Sequence, residues 1–425
     1  MKKHLVIFLS LFLMAPVAQT VAQESTLLHF MRQSPQSLRS NPANLLDSTK
    51  FFMGIPFLSN INVDLNFGFA YSDAIYRDAH DDSLRINRSI VDQLTGSSRM
   101  GVDFNYELLS FGARFREDNM ITFSLSAKAF GTFLFPKDVA TLLVEGNEPD
   151  GVLSIDSDVN ASAYVEAALG YSRIIDKHWK VGVRVKYLAG IANAYSDRMN
   201  ISVATDADYA LKLSSDALLR TSILDLEDNP LKNSGMAFDA GVYYKSPVKG
   251  LELSFSLVDW GYIQWNSDRK AFRSEVKNGV YEFKGITDVT DNNVNAILDT
   301  LKNVLEFNEI ENPDAYSSPL LGKIFFGASY DFSNYDKVGF LFSTRALQHF
   351  SRTTFALMYS RRVGNWFTVA AGNNFMTQKL FNPSLALHFR TGNFQFHIAG
   401  ENISSFYLKD ISTANIQFGM NIAIY

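Results

Sequence analysis

Two of the seven histidines, His388 and His397, fall on strand-like runs that flank a tight turn, and Ser384 precedes the first of them. A hydroxyl close to imidazoles is a pairing that covalent catalysis uses, because the imidazole activates the nucleophile. No Gly-x-Ser-x-Gly elbow accompanies these residues, and strand positions that line a polar lumen are polar without any catalytic role. We therefore expect that the protein is not an enzyme.

Acidic residues cluster at three places, and carboxylate oxygens are the ligands that Ca²⁺ prefers. None of the clusters has the spacing of an EF-hand, with its central glycine and distal glutamate. We therefore predict solvated outer loops, with divalent ions bridging to lipopolysaccharide, and we expect neither a dedicated metal site nor a cofactor. The clusters are Asp78, His80, Asp81 and Asp82, then Asp156 and Asp158, and then Asp288, Asp291 and Asn292.

The composition indicates which elements would position such residues. The chain has 425 residues, of which 47% are hydrophobic, with 35 Phe and 18 Tyr, yet its mean hydropathy is -0.04. Barrels whose strands alternate between lipid-facing and lumen-facing residues combine many aromatic residues with near-zero hydropathy. Cysteine is absent, which excludes disulfides and thiolate-bound metals, and the net charge of -5 gives no support for nucleic-acid binding.

The first residues have the pattern of a secretory signal peptide: two lysines, an apolar run at 5–17 and small residues at 20–22. The apolar run is shorter than the roughly 20 residues of a spanning helix. We expect cleavage after Ala22 and a location in the outer membrane, in contact with its lipid and lipopolysaccharide. The predicted organisation is a signal peptide at 1–22, an N-terminal plug or periplasmic segment at 23–50 and a barrel at 51–425.

Period-two alternation of apolar and polar residues recurs in pairs of runs joined by tight turns. Residues 111–115 and 121–129 alternate around a turn at 117–119, and similar hairpins surround 176–177, 363–365 and 391–393. Many runs reach about ten residues, which suits a strand that crosses a bilayer at about 45°, whereas strands of soluble sandwiches have about 5–6. We predict an all-β fold, a closed antiparallel transmembrane β-barrel of about 14 strands (roughly 12–16), because an open edge cannot lie in lipid.

The connections between the runs are of two kinds. Short turns are mixed with long polar loops at 72–100, 136–157 and 265–321, as outer-membrane barrels have them. Counting back from 391–393 as a periplasmic turn places the tight turn at 176–177 on the outer side of the membrane, where long loops are expected. The count is consistent only if a further strand lies within 211–235 or if one of the strand-like runs does not cross the membrane. Helical spacing predicts small loop helices at 137–147 and 293–307. Four tryptophans near strand ends predict an interfacial girdle: Trp179, Trp260, Trp265 and Trp366.

Three segments, in this order, resemble a Bacteroidota-type outer-membrane barrel family known only as a domain of unknown function. They are LVDWGYIQW at 257–265, YEFKGI at 281–286 and PLLGKIFFGASYDF at 319–332. The resemblance rests on Asp259, Gly261, Trp265, Phe283 and Gly285. The triplet Asn41, Pro42 and Ala43 is also similar to one in the N-terminal hatch of FadL-type transporters of hydrophobic compounds, and barrels of the type IX secretion system carry similar triplets.

The FadL-type resemblance implies a lumen occluded by an N-terminal segment, with hydrophobic small molecules passing through this plug or out through the wall. It predicts a passive port gated by the plug. The alternative is a sealed structural or adaptor barrel whose loops bind a secretion or surface-protein partner. Apolar lumen-facing residues would favour transport, and interlocked charges would favour the sealed barrel. Locally, Asn41 as a cap and Pro42 in a first helical turn predict a short helix, placed either inside the lumen or below it.

Overall fold

The structure is a computed structural model that describes residues 26–45, 49–66, 75–77, 84–94, 99–145, 151–207, 211–225, 229, 231–281, 307–346, 351–375, 381–403 and 413–425. The predicted signal peptide, the helix at 293–307 except Phe307, and the acidic clusters at 78–82 and 288–292 lie outside these residues. No helix among the described residues is both long enough and apolar enough to span a membrane.

Strands dominate the described chain. In chain order they are β1 (Phe51–Gly54), β2 (Asn60–Asn66), β3 (Ile75–Arg77), β4 (Leu84–Ile86), β5 (Arg99–Phe115), β6 (Asn119–Leu134), β7 (Val152–Asp156), β8 (Val159–Ile174), β9 (Trp179–Thr205), β10 (Leu211–Ile223), β11 (Ser234–Lys245), β12 (Leu251–Trp265), β13 (Arg269–Tyr281), β14 (Asn308–Ile310), β15 (Tyr316–Pro319), β16 (Lys323–Asp331), β17 (Asp336–Ala346), β18 (Ser351–Val363), β19 (Phe367–Phe375), β20 (Pro383–Thr391), β21 (Phe394–Glu401) and β22 (Thr413–Ile424). The helices are α1 (Thr26–Phe30), a 3-10 helix (Pro35–Arg39), α2 (Ser89–Gln93) and α3 (Lys137–Val144), the last of which was predicted.

The sheet closes on itself because its last strand pairs with its first. Strand β22 pairs with β1 and β2, and both of these pair on their other side with β5. Some consecutive strands lie end to end and together make one crossing of the barrel wall. These are β1 with β2, β7 with β8, β10 with β11, β12 with β13, and β14 with β15 and β16. The predicted closed antiparallel barrel of 14 strands is therefore confirmed.

Strand β9 explains why the number of strands was ambiguous from the sequence alone. It is 27 residues long, and its first part pairs with β11 while its second part pairs with β10. A strand does lie within 211–235, but β10 and β11 together make one crossing. The turn at 176–177 consequently lies at the same end as the other short turns. We name the two ends of the barrel the short-turn end and the long-loop end.

One side of the barrel wall is taller than a bilayer requires. A crossing strand needs about 9–11 residues, so β9 projects well beyond the membrane at the long-loop end. Strand β13 pairs with β10 in this projection, and β15 pairs with the end of β12. The prediction of a loop throughout 265–321 was therefore wrong, because β13, β14 and β15 extend the wall there.

The alternation sorts side chains between lipid and lumen. On β9, Val181, Val183 and Val185 point outward and are exposed, whereas Arg184 and Lys186 at alternate positions are buried inside. On β22, Ile416 and Ile422 are exposed, and Asn415, Gln417 and Asn421 are buried. Outward apolar and inward polar residues are the pattern that a lipid-embedded barrel requires.

Candidate functional site

Residues 26–45, which we name the plug segment, lie inside the barrel. The side chains of Thr26, Leu27, Leu28 and His29 on α1 are buried, as are those of most residues up to Leu45. Their hydrogen-bond partners belong to β8, β11, β12, β19, β21 and β22, which are spread around the wall. Of the two positions considered from the sequence, the segment occupies the lumen rather than the space below it.

The apolar side of α1 packs against small residues of the wall. Leu27, Leu28 and Met31 form a buried cluster with Met358 and three alanines on consecutive strands, Ala370, Ala386 and Ala399. Larger side chains at the alanine positions would occupy the volume that α1 fills, and overpacking of this kind is destabilising. The wall is thus complementary in shape to the plug segment.

Polar contacts hold the first part of the plug segment. The hydroxyl of Thr26 donates to Oδ1 of Asn374 or to Oε1 of Glu401, which lie 3.0 and 2.9 Å away. A guanidinium nitrogen of Arg32 lies 2.6 Å from Oε2 of Glu252. Breaking a buried ion pair is strongly destabilising when one charged partner stays buried without the other. Displacing the plug segment would therefore leave carboxylates such as Glu252 without this cation.

His29 connects α1 both to the rest of the plug segment and to the wall. Its Nδ1 lies 3.1 Å from Oγ of Ser40, and its Nε2 lies 2.9 Å from Oγ of Ser254. Because the Ser40 hydroxyl donates to the Ser37 carbonyl, we assign the ring proton to Nδ1, which leaves Nε2 to accept from Ser254. Burial, reinforced by the Arg32 guanidinium, lowers the pKa of His29 from 6.5 to about 4. The seated plug segment therefore holds a neutral imidazole at neutral pH.

The Asn41, Pro42 and Ala43 triplet forms a turn that anchors the plug segment. Oδ1 of Asn41 accepts a hydrogen bond from the Ala43 N–H at 2.8 Å. Its Nδ2 donates to the backbone carbonyls of Val242 at 3.3 Å and Phe255 at 3.4 Å. The Ser172 hydroxyl donates to the Pro42 carbonyl at 2.6 Å. These bonds join the triplet to β8, β11 and β12.

The predicted helix after Asn41 was wrong. The nearest helix is the 3-10 helix, which precedes the triplet and has Pro35 in its first turn. The Asn41 side chain instead closes a turn on the backbone two residues ahead, which is a common use of asparagine. Asn44 then donates to the carbonyls of Ser37 and His29, and so ties the two helices together.

Two glycines of the wall leave space for the close contact with the triplet. A Cβ atom added at Gly182 would overlap with the Pro42 carbonyl, and one added at Gly241 would overlap with the Asn41 side chain. The obstruction at Gly182 consists of backbone atoms, which cannot rotate away. Glycine is the residue that allows such a close approach of a second backbone.

Six ionisable side chains lie across the lumen on the long-loop side of the plug segment, and we name them the charged layer. They are Lys128, Glu166, Arg184, Lys186, Asp239 and Asp259. Nζ of Lys186 lies 2.6 Å from Oδ1 of Asp239 and 2.6 Å from Oδ1 of Asp259. Nζ of Lys128 lies 2.7 Å from Oε2 of Glu166, and a guanidinium nitrogen of Arg184 lies 3.5 Å from Asp239. Charges buried this deeply require partners, and here each has at least one.

The charged layer leaves little open space. A cavity of about 30 Å³ lies among Lys128, Arg184, Lys186 and Asp259, and Arg39 of the plug segment also lines it. That volume accommodates roughly one water molecule. Among the described residues, the plug segment and the charged layer thus occupy most of this part of the lumen.

Asp259, one of the residues that carry the family resemblance, lies at the centre of this layer. Its φ of 58° is in the left-handed region, and the β11–β12 pairing shifts register beside it. Its backbone N–H donates to Asp239 at 2.8 Å, and its carboxylate faces Lys128, Lys186 and Lys323. Backbone strain of this kind persists where the surroundings fix it, here through three lysines.

The other family-like residues have structural positions. A Cβ at Gly261 would overlap with backbone atoms of β11, so glycine permits the close strand pairing there. Trp265 is 0% exposed, donates from Nε1 to Ser318 at 2.9 Å and packs with Tyr164, Leu188 and Tyr316 in an aromatic cluster above the charged layer. Phe283 and Gly285 lie outside the described residues.

The predicted aromatic girdle needs one correction. Trp260 is 52% exposed, and Trp179 and Trp366 are exposed as well, on the outside of the barrel. Trp265 belongs to the lumen instead. The bulge at Asp259 reverses the alternation, so that odd-numbered residues such as Phe255 face outward before it and even-numbered residues such as Trp260 face outward after it.

Of the residues first considered for chemistry, the two histidines are cross-strand neighbours and the serine lies at the start of one of their strands. His388 and His397 face each other across β20 and β21 and are buried in the lumen wall, and Ser384 lies at the start of β20. Asp158 is not solvated as predicted, because it forms a buried ion pair with Arg99. Among the described residues, no group of three or more His, Asp or Glu side chains could hold a metal ion.

The charged layer was missed from the sequence except for Asp259. Its members occupy strand-like runs at positions that alternate with the apolar residues, as Arg184 and Lys186 alternate with Val183, Val185 and Tyr187. That parity could have identified them as lumen-facing. Their mutual contacts depend on strand register across the barrel, which one strand does not specify.

The fold and lumen define a plugged 14-stranded barrel of the outer-membrane type. A family model described as "Family of unknown function (DUF5723)" matches residues 42–400, so the chain belongs to that family and the predicted resemblance is confirmed. No curated protein matches the chain in sequence.

Similar solved structures are barrels of transporters. The Pseudomonas putida toluene transporter TodX is 10% identical, covers 92% of this chain and 94% of its own, and has a TM-score of 0.46. The Ralstonia pickettii toluene transporter TbuX is 10% identical, with the same two coverages and a TM-score of 0.43. A Pseudomonas aeruginosa FadL homologue is 11% identical, covers 92% of this chain and 93% of its own, and has a TM-score of 0.43.

Proposed function

We propose that the chain is an outer-membrane port for small hydrophobic molecules that its plug segment keeps closed. The observation that carries this proposal is the position of residues 26–45 in the lumen, tied to the wall through Thr26, His29, Arg32 and Asn41. A segment in that position has to move before a molecule can pass along the barrel axis. Its ties are hydrogen bonds and an ion pair, which break and reform without a covalent step.

A break in the first strand supports a route through the wall for apolar molecules. Residues 55–59 separate β1 from β2, and within them Phe57 has a φ of 64° and is 62% exposed on the outer surface. The Gln36 side chain of the plug segment donates to the Ser59 carbonyl at 2.8 Å from the inside. A molecule that leaves at this break would reach lipid without crossing the plug segment itself.

The charged layer favours a second candidate function, a sealed structural or adaptor barrel. Interlocked charges line the lumen where a hydrophobic passenger would need apolar side chains, and they leave only about 30 Å³. In this candidate the tall wall formed by β9, β10 and β13 would bind a secretion or surface-protein partner. The barrel surface would contact outer-membrane lipid and lipopolysaccharide in either case.

Conductance in planar bilayers separates the two candidates. The full chain is compared with a variant that lacks residues 24–46, and with the same deletion combined with Lys186→Met and Asp259→Asn. A port should conduct when the plug segment alone is removed, and apolar ligands that co-purify with the full chain should be identified by mass spectrometry. Conductance that requires both changes would favour the sealed barrel, as would one stoichiometric protein partner in a pull-down.

The port proposal has a clear point of failure. If the full chain retains no apolar ligand and neither it nor the plug deletion conducts, the port should be abandoned. Heat-modifiable migration on gels provides the control that each variant has closed its barrel.

Export is part of the same proposal. We expect the chain to be cleaved after Ala22 and delivered to the outer membrane. The intact mass of the purified chain should correspond to a start at Gln23, and the chain should sediment with outer-membrane vesicles.

A further inference from the structure

A second cavity opens at the short-turn end, below the plug segment. Its volume is about 630 Å³, within the range of roughly 300–1,000 Å³ that is typical of small-molecule sites. Its inner side is formed by residues 30–33 of the plug segment, and its outer side by the ends of β16 to β20. This vestibule is separate from the charged layer.

Four cations line the vestibule. Arg32 and Lys337 are already paired, because both bind Oε2 of Glu252, at 2.6 and 3.0 Å, and Lys337 also lies 3.4 Å from Oδ1 of Asp331. Arg362 and Arg390 differ from them. Arg362 donates to the Asn334 carbonyl at 2.7 Å, and Arg390 donates to the Gly392 carbonyl at 3.3 Å. Arg390 also lies over the Tyr425 ring, 3.3 Å from its centroid, and Asp331 lines the cavity as well. Among the described residues, neither Arg362 nor Arg390 has a carboxylate within 4.0 Å, so no carboxylate of this part of the chain neutralises them.

A buried imidazole marks the same space. His388 lines the vestibule and is 3% exposed; the Gln395 side chain is a hydrogen-bonding neighbour of its imidazole, and its Nε2 has no partner within 3.5 Å in the part of the chain that the structure describes. Buried polar atoms are nearly always paired, and an orphan at the wall of a cavity indicates a missing partner. The hydroxyls of Ser360 and Thr368 line the cavity as well.

We infer that the vestibule binds a small solute that carries a carboxylate or phosphate group, held by Arg362 and Arg390 with His388 as a further hydrogen-bonding group. Guanidinium groups suit such oxygens because their N–H fork matches the geometry of both anions. Because Arg32 belongs to the plug segment, the ligand would lie against the plug as well as the wall. This site is independent of whether the lumen conducts.

Calorimetric titration of the full chain in a nonionic detergent tests the inference, with citrate and inorganic phosphate as separate probes. The variant Arg362→Gln/Arg390→Gln should bind the effective probe at least about tenfold more weakly, since hydrogen bonds to charged groups are each worth more than that factor. Lys177→Gln/Lys249→Gln is the matched control, because it removes two exposed cations from short turns that do not line the vestibule.

The two probes identify the source of the anion. Binding of citrate alone indicates a carboxylate solute, and binding of phosphate alone indicates a phosphate; either supports the site if it depends on Arg362 and Arg390. Slower amide exchange at residues 30–33 on addition of the effective probe would locate it against the plug segment. Absence of binding by both probes, or equal binding by the vestibule variant and the control variant, would overturn the inference. If the double variant does not form a closed barrel, the single variants Arg362→Gln and Arg390→Gln are titrated instead.

Discussion

Nζ of Lys186 lies 2.6 Å from Oδ1 of Asp259, and both groups are inside a membrane-spanning barrel. The same ammonium lies 2.6 Å from Asp239, so one lysine forms ion pairs with carboxylates from two neighbouring strands. Replacing Lys186 by methionine leaves both carboxylates buried without their closest cation. Loss of one partner from a buried ion pair typically costs about 3–5 kcal/mol, and we expect a loss of that size in the free energy of unfolding.

Urea unfolding of the detergent-solubilised barrel measures this effect. Lys212→Met is the control, because Lys212 forms an exposed ion pair with Asp206 at 3.7 Å, and exposed pairs contribute about 0–1 kcal/mol. Equal stability of the Lys186 and Lys212 variants would contradict the structural role of the charged layer.

Gly182→Ala should displace the plug segment. The added methyl group meets the backbone of Pro42 and Ala43, and overpacking typically costs about 1–3 kcal/mol. We expect trypsin to cleave after Arg32 and Arg39 in this variant and to spare them in the unmodified chain. Gly131→Ala is the matched control, since its new Cβ would make ordinary contacts of 3.4 and 3.7 Å. Identical digestion of both variants would exclude the close fit around the triplet.

Trp265 should be shielded from lipid. We expect that a brominated detergent quenches the fluorescence of variants that retain only Trp179, Trp260 or Trp366, because these rings lie on the outer surface. A variant that retains only Trp265 should remain bright, since its ring is enclosed in the lumen. Strong quenching of Trp265 would show that its ring contacts the detergent, as the predicted interfacial girdle requires.

Acid should loosen the plug segment. Burial, together with Arg32, lowers the pKa of His29 to about 4 while the plug is seated, and withdrawal returns it to about 6.5. Between these values the withdrawn form binds a proton that the seated form does not, so falling pH favours withdrawal. The total effect below pH 4 is about 3 kcal/mol.

Amide exchange of residues 26–45, corrected for intrinsic rates, measures this pH dependence. Protection should be constant above pH 7 and should fall between about pH 6.5 and 4. His29→Gln is the control, because it lacks the titrating group and should show a weaker dependence. A pH-independent plug in the unmodified chain would contradict the assignment.

The barrel itself was predictable because its determinants are local. Alternation along β9 and β22 follows from the requirement that one face meets lipid and the other the lumen, and each run shows it in its own residues. The strand count was harder. Whether β10 and β11 make one crossing or two depends on their pairing with β9, and that pairing is set by residues far apart in the chain.

The site was predictable only in part, for the same physical reason. Asn41, Pro42 and Ala43 were singled out, yet their position depends on Gly182 and Gly241 in distant strands. Asp259 was singled out through its family resemblance, but its partners Lys128 and Lys186 come from two other hairpins. Trp265 was misplaced because the left-handed residue at Asp259 interrupts the alternation that the sequence suggests.

Gln36 touches both sides of the seam where the barrel closes. Its amide nitrogen donates to the Ser59 carbonyl, next to β2, and lies 3.1 Å from Oδ1 of Asn421 on β22. The plug segment precedes every strand in the chain, whereas β22 is the last to be made. We therefore expect it to act as a template on which the first and last strands are aligned during assembly. A chain without it would have to find that register through strand pairing alone, across the longest loop closure in the molecule, and should mature more slowly.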